Sequence, residues 1–224
     1  MKQKYSESGR NPYDSLRPGS ALTHAAGILF ALFALFVLQE LTLHRGKRTV
    51  TAVSVYAVSM LCLYTASTVY HSFRTSIQGR LFLRKLDHVM IYFLIAGTYT
   101  PICMISLDGM LSGRIMMIVI WTMALLGSSF TLFWIGMPRW LTVAIYLVMG
   151  WTAIFAIYPL SAVLSGACFF LLLLGGVLYS VGGVLYALKW PGRNNRYFGC
   201  HEIFHVFILL GSIFHFLMIC QLVR

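Results

Sequence analysis

Long apolar stretches separated by short polar segments dominate the pattern of this 224-residue chain. A helix needs about 20 apolar residues to cross the hydrocarbon core of a bilayer. Seven stretches reach that length, and they predict helices over 21–43, 50–71, 87–107, 114–135, 140–159, 163–188 and 201–222. Polar or basic segments separate most of these helices from one another, whereas the boundary between the fifth and sixth helices depends only on residues 159–162. The pattern therefore predicts an all-α fold, a seven-transmembrane helix bundle.

Composition indicates a polytopic integral membrane protein. Hydrophobic residues make up 59% of the chain and charged residues 10%, whereas a soluble domain carries about a quarter charged residues. No soluble domain remains once the apolar stretches are assigned, so we predict one membrane domain over 21–224. We expect residues 1–20 to be a disordered cytoplasmic tail, because they are polar and lack the apolar core of a signal peptide.

Positive charge is distributed unevenly between alternate loops. If the N-terminus is cytoplasmic, the inside segments carry twelve of the 17 Lys and Arg residues and the outside segments carry five. Cytoplasmic loops are enriched in Lys and Arg, so we predict a cytoplasmic N-terminus, an outside C-terminus and a multi-pass location in the inner (plasma) membrane. The net charge of +11 then reflects topology and anionic lipids, and nucleic acid is a poor candidate partner.

Four ionisable residues are predicted to lie at one depth near the cytoplasmic surface. The second, third and seventh spans place there His71, Asp87, His201 and His205. Ionisable groups inside a membrane are costly and usually functional. His201 and His205 share a helix face, and three neutral imidazoles with one open position are the usual catalytic zinc arrangement. Asp87 could accept a proton from a water in that position, and Ser67 stands one helical turn before His71.

The sequence from His201 to His205 also matches H-E-x-x-H, the motif in which Glu202 would be the general base of a zinc protease. The remainder of such a site is missing, because Gly211 stands where a metzincin carries its third histidine. His215 lies about 21 Å along the helix from His201, which is too far to share one metal ion. This alternative is therefore weak.

Other notable residues have simpler interpretations. His24, at the start of the first span, is most simply an interfacial histidine, although a contact with the site is an alternative. His88 is expected to pack at the interface, and His215 to hydrogen-bond to a neighbouring helix. The repeat GGVLY at 175–179 and 182–186 predicts a stripe of glycines for close helix packing. The five cysteines are scattered through the spans and are expected to be reduced thiols.

Six motifs follow one another along nearly the whole chain. They are ALTHAAG (21–27), STVYH (67–71), LDHVMIYFLIAGTYTP (86–101), IYLVMGW (145–151), GGVLYSVGGVLYALKWP (175–191) and HEIFHVFILLGSIFHF (201–216). In this order they resemble the hemolysin III family of the progestin and adiponectin receptor superfamily, which is related to the alkaline ceramidases. The resemblance implies a seven-span fold with three zinc ligands, His71, His201 and His205. It further implies that Asp87 contacts the metal-bound water and that Ser67 is its polar neighbour.

Three classes of function are compatible with these features. The first is a zinc-dependent hydrolase of a membrane lipid amide or ester, with Asp87 as base and Ser67 as a hydrogen-bonding residue. The second is a non-enzymatic sensor or regulator of membrane lipid homeostasis, in which zinc clamps the second, third and seventh spans together. The third is a cytolysin, which the family name suggests but for which the sequence offers no amphipathic insertion segment. We expect Zn²⁺ as the cofactor and membrane lipids as the partners.

Overall fold

The computed structural model describes residues 16–134, 136–192, 195 and 198–224, and regular structure in these residues is helical throughout. The α-helices are α1 Pro18–Thr42, α2 Lys47–Ser72, α3 Ile77–Pro101, α4 Leu111–Phe133, α5 Arg139–Gly150, α6 Ile157–Val163, α7 Gly166–Leu188 and α8 Cys200–Leu222. A π-helical turn, Ile102–Ser106, extends α3, and a 3₁₀ segment, Trp151–Ala156, joins α5 to α6. Counting α3 with its π-helical turn, and α5 with the 3₁₀ segment and α6, as single segments, the described residues form seven helical segments that are long and apolar enough to cross a bilayer. The prediction of an all-α, seven-span integral membrane protein is confirmed.

Lipid is the natural solvent of the outer surface of this bundle. Phe133 and Phe155 are 91% and 90% exposed, and many other large apolar side chains on this surface are also exposed. A soluble protein does not present so large an apolar surface to water. The interior is built around α2 and α8, because α2 packs against both α1 and α3 while α8 packs against both α1 and α7.

Hydrogen bonds between tyrosine hydroxyls and Ser212 link three helices inside this core. The hydroxyl of Tyr56 donates to the carbonyl oxygen of Ser212 at 2.9 Å, and that of Tyr64 donates to the Ser212 hydroxyl at 2.7 Å. Tyr179 on α7 shares a 2.9 Å hydrogen bond with the same hydroxyl. Interhelical hydrogen bonds of this kind contribute about 0.6–2 kcal/mol each in a membrane. They fix the position of α8 relative to α2 and α7.

The third helix begins at Ile77, well before the predicted start at residue 87. Most of the segment that the prediction left between the second and third helices is therefore helical, because hydropathy registers only the apolar part of a helix that continues into a charged end. The Ser76 side chain accepts a hydrogen bond from the backbone N–H of Gly79 and so caps the helix at its true start. Arg80 is buried in this turn and donates to the carbonyl oxygens of Tyr70 and Phe73, which holds the beginning of α3 against the end of α2.

The fifth span also ends later than predicted. The break expected at 159–162 falls inside α6, and the chain leaves the helix at Leu164 instead. Pro159 does not interrupt the helix because it lies in the first turn of α6, where a backbone N–H has no helical partner in any case. Ser165 then caps α7 by accepting from the N–H of Cys168 at 3.1 Å.

Only part of the predicted tail over 1–20 is visible, since residues 1–15 lie outside the described residues. Pro18 already belongs to α1, as the first helical position tolerates its missing N–H. Arg17 and Ser20 therefore belong to the folded bundle, and both contact the candidate site described below.

The glycine stripe predicted for α7 is confirmed for two of its members. A Cβ atom on Gly182 would lie 2.5 Å from the Cβ atom of Phe207, and one on Gly175 would lie 2.5 Å from Nε2 of His215. Both neighbours belong to α8. Gly176, by contrast, has no heavy atom within 4 Å of the position of an added Cβ. The close approach of α7 and α8 thus depends on Gly175 and Gly182.

We expect Gly182→Ala to destabilise the bundle by about 1–3 kcal/mol, the usual effect of overpacking a tight contact. The Cβ atom of Phe207 cannot rotate away from the added methyl group, so the helices must separate. Gly176→Ala is the matched control and is expected to leave stability unchanged. Reversible unfolding in mixed micelles would measure both, and equal effects of the two substitutions would contradict this packing argument.

Candidate metal centre

Three histidines from two helices converge at the end of the bundle where α2 ends and α8 begins, here called the histidine end. One ring nitrogen from each of His71, His201 and His205 lies within 4.8 Å of the other two. The Nε2 atoms of His71 and His201 are 3.1 Å apart. His71 and His205 are buried and His201 is half-buried. These three residues could hold a metal ion.

The donor set fits a small divalent cation. Two nitrogens on a tetrahedral zinc ion, each at about 2.0 Å, lie about 3.3 Å apart, close to the spacing of the His71 and His201 nitrogens. Nδ1 of His205 is 3.2 Å from the carbonyl oxygen of Ser20. Donation of a hydrogen bond from Nδ1 to that oxygen leaves the Nε2 lone pair available to a metal, which is how second-shell partners select the tautomer of ligating histidines.

Asp87 lies on the wall of the same cavity as His201 and His205. This cavity, here called the metal cavity, has a volume of about 280 Å³ and opens at the histidine end. Ser67 is completely buried. Its hydroxyl lies close to the Asp87 carboxylate, but in a geometry that leaves it without a hydrogen-bond partner among the described residues. The predicted histidines, acid and serine are therefore brought to one end of the bundle by α2, α3 and α8.

A second, mostly apolar cavity of about 270 Å³ continues from the metal cavity into the bundle. The two cavities share six wall residues, Leu63, Ile91, Val143, Tyr146, Phe204 and Ile208. The deeper one, here called the apolar slot, is lined mainly by α3, α5, α7 and α8, with further residues from α2 and from the 3₁₀ segment. The polar wall of the metal cavity thus adjoins a mostly apolar space inside the bundle.

For His24, the preferred prediction of an interfacial position is wrong, and the alternative, a contact with the site, is the one observed. His24 is only 3% exposed and is not an interfacial histidine. Its ring stacks on that of His205, with centroids 3.7 Å apart and planes 12° apart, and it meets the Tyr64 ring edge-on at 5.1 Å. Neither ring nitrogen has a hydrogen-bond partner among the described residues. The position of His24 at the start of α1, on the histidine end, was the available signal.

Glu202, the general base in the zinc-protease alternative, is held by structural partners. Its buried carboxylate accepts hydrogen bonds from Arg17 at 2.9 and 3.0 Å, from the Ser20 hydroxyl at 2.8 Å and from the N–H of Gly199 at 2.9 Å. The last of these caps α8. The backbone N–H of Arg17 also donates to the carbonyl oxygen of His71 at 3.2 Å. The start of α1 is thereby fastened to both helices that carry the histidine triad.

Two other histidines have structural roles. Nδ1 of His88 lies 2.8 Å from the carbonyl oxygen of Arg84 one turn earlier. Nε2 of His215 lies 3.2 Å from the carbonyl oxygen of Leu172 on α7, which confirms the predicted bond to a neighbouring helix. All five cysteines are free thiols, as predicted.

Comparison with known proteins decides the family. A family described as "Haemolysin-III related" matches residues 18–216. The chain belongs to the haemolysin-III-related family. Among members of the hemolysin III group, the chain is 41% identical over 194 residues to "Hemolysin-3 homolog" of Bacillus subtilis (strain 168), covering 86% of this chain and 87% of that protein. It is 40% identical over 198 residues to "Hemolysin-3" of Bacillus cereus, covering 88% and 87%. The haemolysin-III-related match includes the whole histidine triad and Asp87.

Proposed function

We propose that this haemolysin-III-related protein is a zinc-dependent hydrolase that cleaves an amide or ester bond of a membrane lipid. The observation that carries the proposal is the junction of the two cavities. A histidine triad and a carboxylate stand at one end of an apolar slot. Metal-assisted hydrolysis needs the histidines and the carboxylate, and a lipid substrate would place its apolar part in the slot.

His71, His201 and His205 would hold the zinc ion. When bound by three neutral imidazoles, zinc supplies a Lewis acid for the carbonyl oxygen and activates a water molecule. Asp87 accepts one proton of the attacking water and later delivers it to the leaving nitrogen or oxygen. The water oxygen forms the new bond to the carbonyl carbon as the C–N or C–O bond breaks, which yields a carboxylic acid and an amine or alcohol. Ser67 lies close to the Asp87 carboxylate and would be its hydrogen-bonding partner during the reaction.

The charge distribution supports a cytoplasmic location for this site. The bias of Lys and Arg towards alternate loops favours a cytoplasmic N-terminus, and Arg17 lies at the histidine end together with the loop between α2 and α3. The lipid would then enter from the inner leaflet of the plasma membrane, with its acyl chain in the apolar slot.

A regulator with a structural zinc ion is the second candidate. The observation in its favour is that the triad joins α2 to α8 in a buried setting, so a bound metal would also clamp two helices. Cytolysis, which the names of the Bacillus relatives suggest, ranks below both candidates, because the sequence contains no amphipathic insertion segment.

Metal analysis of the purified full-length protein, followed by lipid analysis of a deletion strain, tests the hydrolase directly. We expect one zinc ion per chain and the accumulation of one class of lipid amide or ester when the gene is removed. A folded protein that binds no zinc when the metal is supplied would contradict the proposal.

Glu202→Gln separates this site from that of a zinc protease. We expect zinc affinity to fall about 10–100-fold, the usual effect of changing an outer-shell partner of a metal ligand, because Glu202 fixes the α1 turn that carries the Ser20 carbonyl group to His205. At saturating zinc, hydrolysis should persist. If Glu202 were the general base, hydrolysis would be abolished even with the metal site full. Zinc titration and turnover measured on one preparation distinguish these outcomes.

A further inference from the structure

The mouth of the metal cavity is positively charged. Its wall includes Arg84 from α3, Arg139 from α5 and Lys189 at the end of α7, here called the basic rim, whereas Asp87 is the only carboxylate among its described wall residues. These cations come from three helices that are far apart in sequence. They meet over the same cavity that His201 and His205 line.

Basic residues at the histidine end fall into two groups. Arg17, Arg80 and Lys85 are used in the fold, because they donate to Glu202, to the carbonyl oxygens of Tyr70 and Phe73, and to the carbonyl oxygen of Leu132, respectively. The basic rim, in contrast, faces the cavity. Among the described residues, neither Arg139 nor Lys189 has an ion-pair partner. A topological excess of positive charge explains the number of these residues but not their convergence.

Arg139 is held in place beside the candidate metal ligands. Its guanidinium group lies over the ring of Tyr186, 4.4 Å from the centroid, and that ring is 5.3 Å from the ring of His201. A cation stacked on an aromatic face is restricted in its motion, while its N–H groups remain available to an anion in a planar fork. The charge is thus oriented close to the reaction centre.

Tryptophans mark the depth of the basic rim. Trp134, which also lines the metal cavity, is 51% exposed, and Trp140 and Trp190 at the same end are each 64% exposed. Tryptophan collects at the membrane–water interface, which is the level of lipid headgroups. The phosphate group of a phospholipid lies at this level, so it can reach the basic rim while an acyl chain enters the apolar slot.

We propose that the basic rim binds the phosphate group of a phospholipid, so that the substrate class of this protein is an anionic phospholipid with an ester or amide bond close to its phosphate. This inference rests on the proposed hydrolase function and narrows it. Among the described residues, a neutral lipid amide would leave Arg139 and Lys189 without an ion-pair partner, whereas a phosphate group would supply the acceptor oxygens that such cations bind.

Equilibrium dialysis of the full-length Asp87→Asn protein against labelled dihexanoyl phosphatidic acid tests the proposal without turnover. Each cation near a membrane surface is worth about a fivefold change in affinity for an anion, so Arg139→Gln and Lys189→Asn should each weaken binding about fivefold. Asparagine is chosen because Lys189 has φ 57°, which asparagine tolerates. Arg74→Gln, an exposed loop residue at the same end that does not line the cavity, should leave binding unchanged.

Three results would overturn the assignment. The first is equal binding of dihexanoyl phosphatidylcholine, and the second is equal binding of glycerol 3-phosphate, which would make a soluble phosphate the ligand. The third is binding that disappears in His71→Ala but survives in Arg139→Gln, since the phosphate would then be held by the metal. If Arg139→Gln and Lys189→Asn weaken the binding of phosphatidic acid but the unmodified protein hydrolyses no lipid, the hydrolase is refuted and the basic rim stands. If the unmodified protein hydrolyses a lipid but these substitutions leave binding unchanged, the basic rim is refuted and the hydrolase stands.

Discussion

Asp87→Asn is expected to keep one zinc ion per chain while hydrolysis of the lipid substrate falls by about 10²–10⁴-fold, the usual contribution of a general base. Asparagine has the same shape as aspartate but cannot accept the proton of the attacking water. The metal should remain because three imidazoles suffice to hold it. Plasma mass spectrometry of the purified variant gives its zinc content, and product formation in proteoliposomes gives its activity.

Asp108→Asn is the matched control for this substitution. Asp108 is 52% exposed and forms an ion pair with Arg48 at the opposite end of the bundle, so the same chemical change there should alter neither zinc content nor turnover. Ser67→Ala should lower turnover by less than Asp87→Asn, because Ser67 acts only through the carboxylate. Full activity of Asp87→Asn would exclude the carboxylate as base and would favour the regulator with a structural zinc ion.

His71→Ala is expected to abolish stoichiometric zinc binding. Two histidines on one helix would remain, and the metal would lose its link to α2. Changing only an outer-shell partner already costs about 10–100-fold in metal affinity, so removing a ligand should cost more. The double substitution of His201 and His205 should have the same result. Zinc content after dialysis against a weak chelator measures the loss.

Loss of zinc must be separated from loss of the fold, and the chain offers a suitable comparison. His44 is exposed beyond the end of α1, away from the triad, and His44→Ala should retain zinc. Circular dichroism of both variants in detergent reports whether the helices persist. A folded His71→Ala protein that still carries one zinc ion per chain would refute the ligand assignment.

Helix number and order could be predicted from hydropathy alone, because each span must satisfy its backbone hydrogen bonds internally and must be apolar over about 20 residues. The residues at which helices begin and end could not be predicted in this way. α3 begins at Ile77 because Ser76 caps it and because Arg80 is stabilised by carbonyl groups at the end of α2. These contacts between α2 and α3 allow a turn that carries a charged residue to be helical and buried. The mean hydropathy of one segment contains no information about contacts with another helix.

The triad was predictable because two of its histidines are four residues apart and the third lies at the same end of another span. The part played by α1 was not predictable. Arg17 and Ser20 looked like residues of a tail, yet they bind Glu202, and His24 stacks on His205. These contacts join residues more than 180 positions apart in sequence, so only the packing of α1 against α8 creates them.

By itself, the sequence determined that this protein is a seven-helix membrane bundle with ionisable side chains gathered at one end, because burial in lipid constrains length, polarity and loop charge along each segment. Only the tertiary structure decided which side chains face one another. It joined the metal cavity to the apolar slot, placed Glu202 where its carboxylate links α1 to α8, and brought the basic rim together over the metal cavity. Those outcomes depend on the rotation and contact of whole helices, which are set by packing and by hydrogen bonds between distant residues.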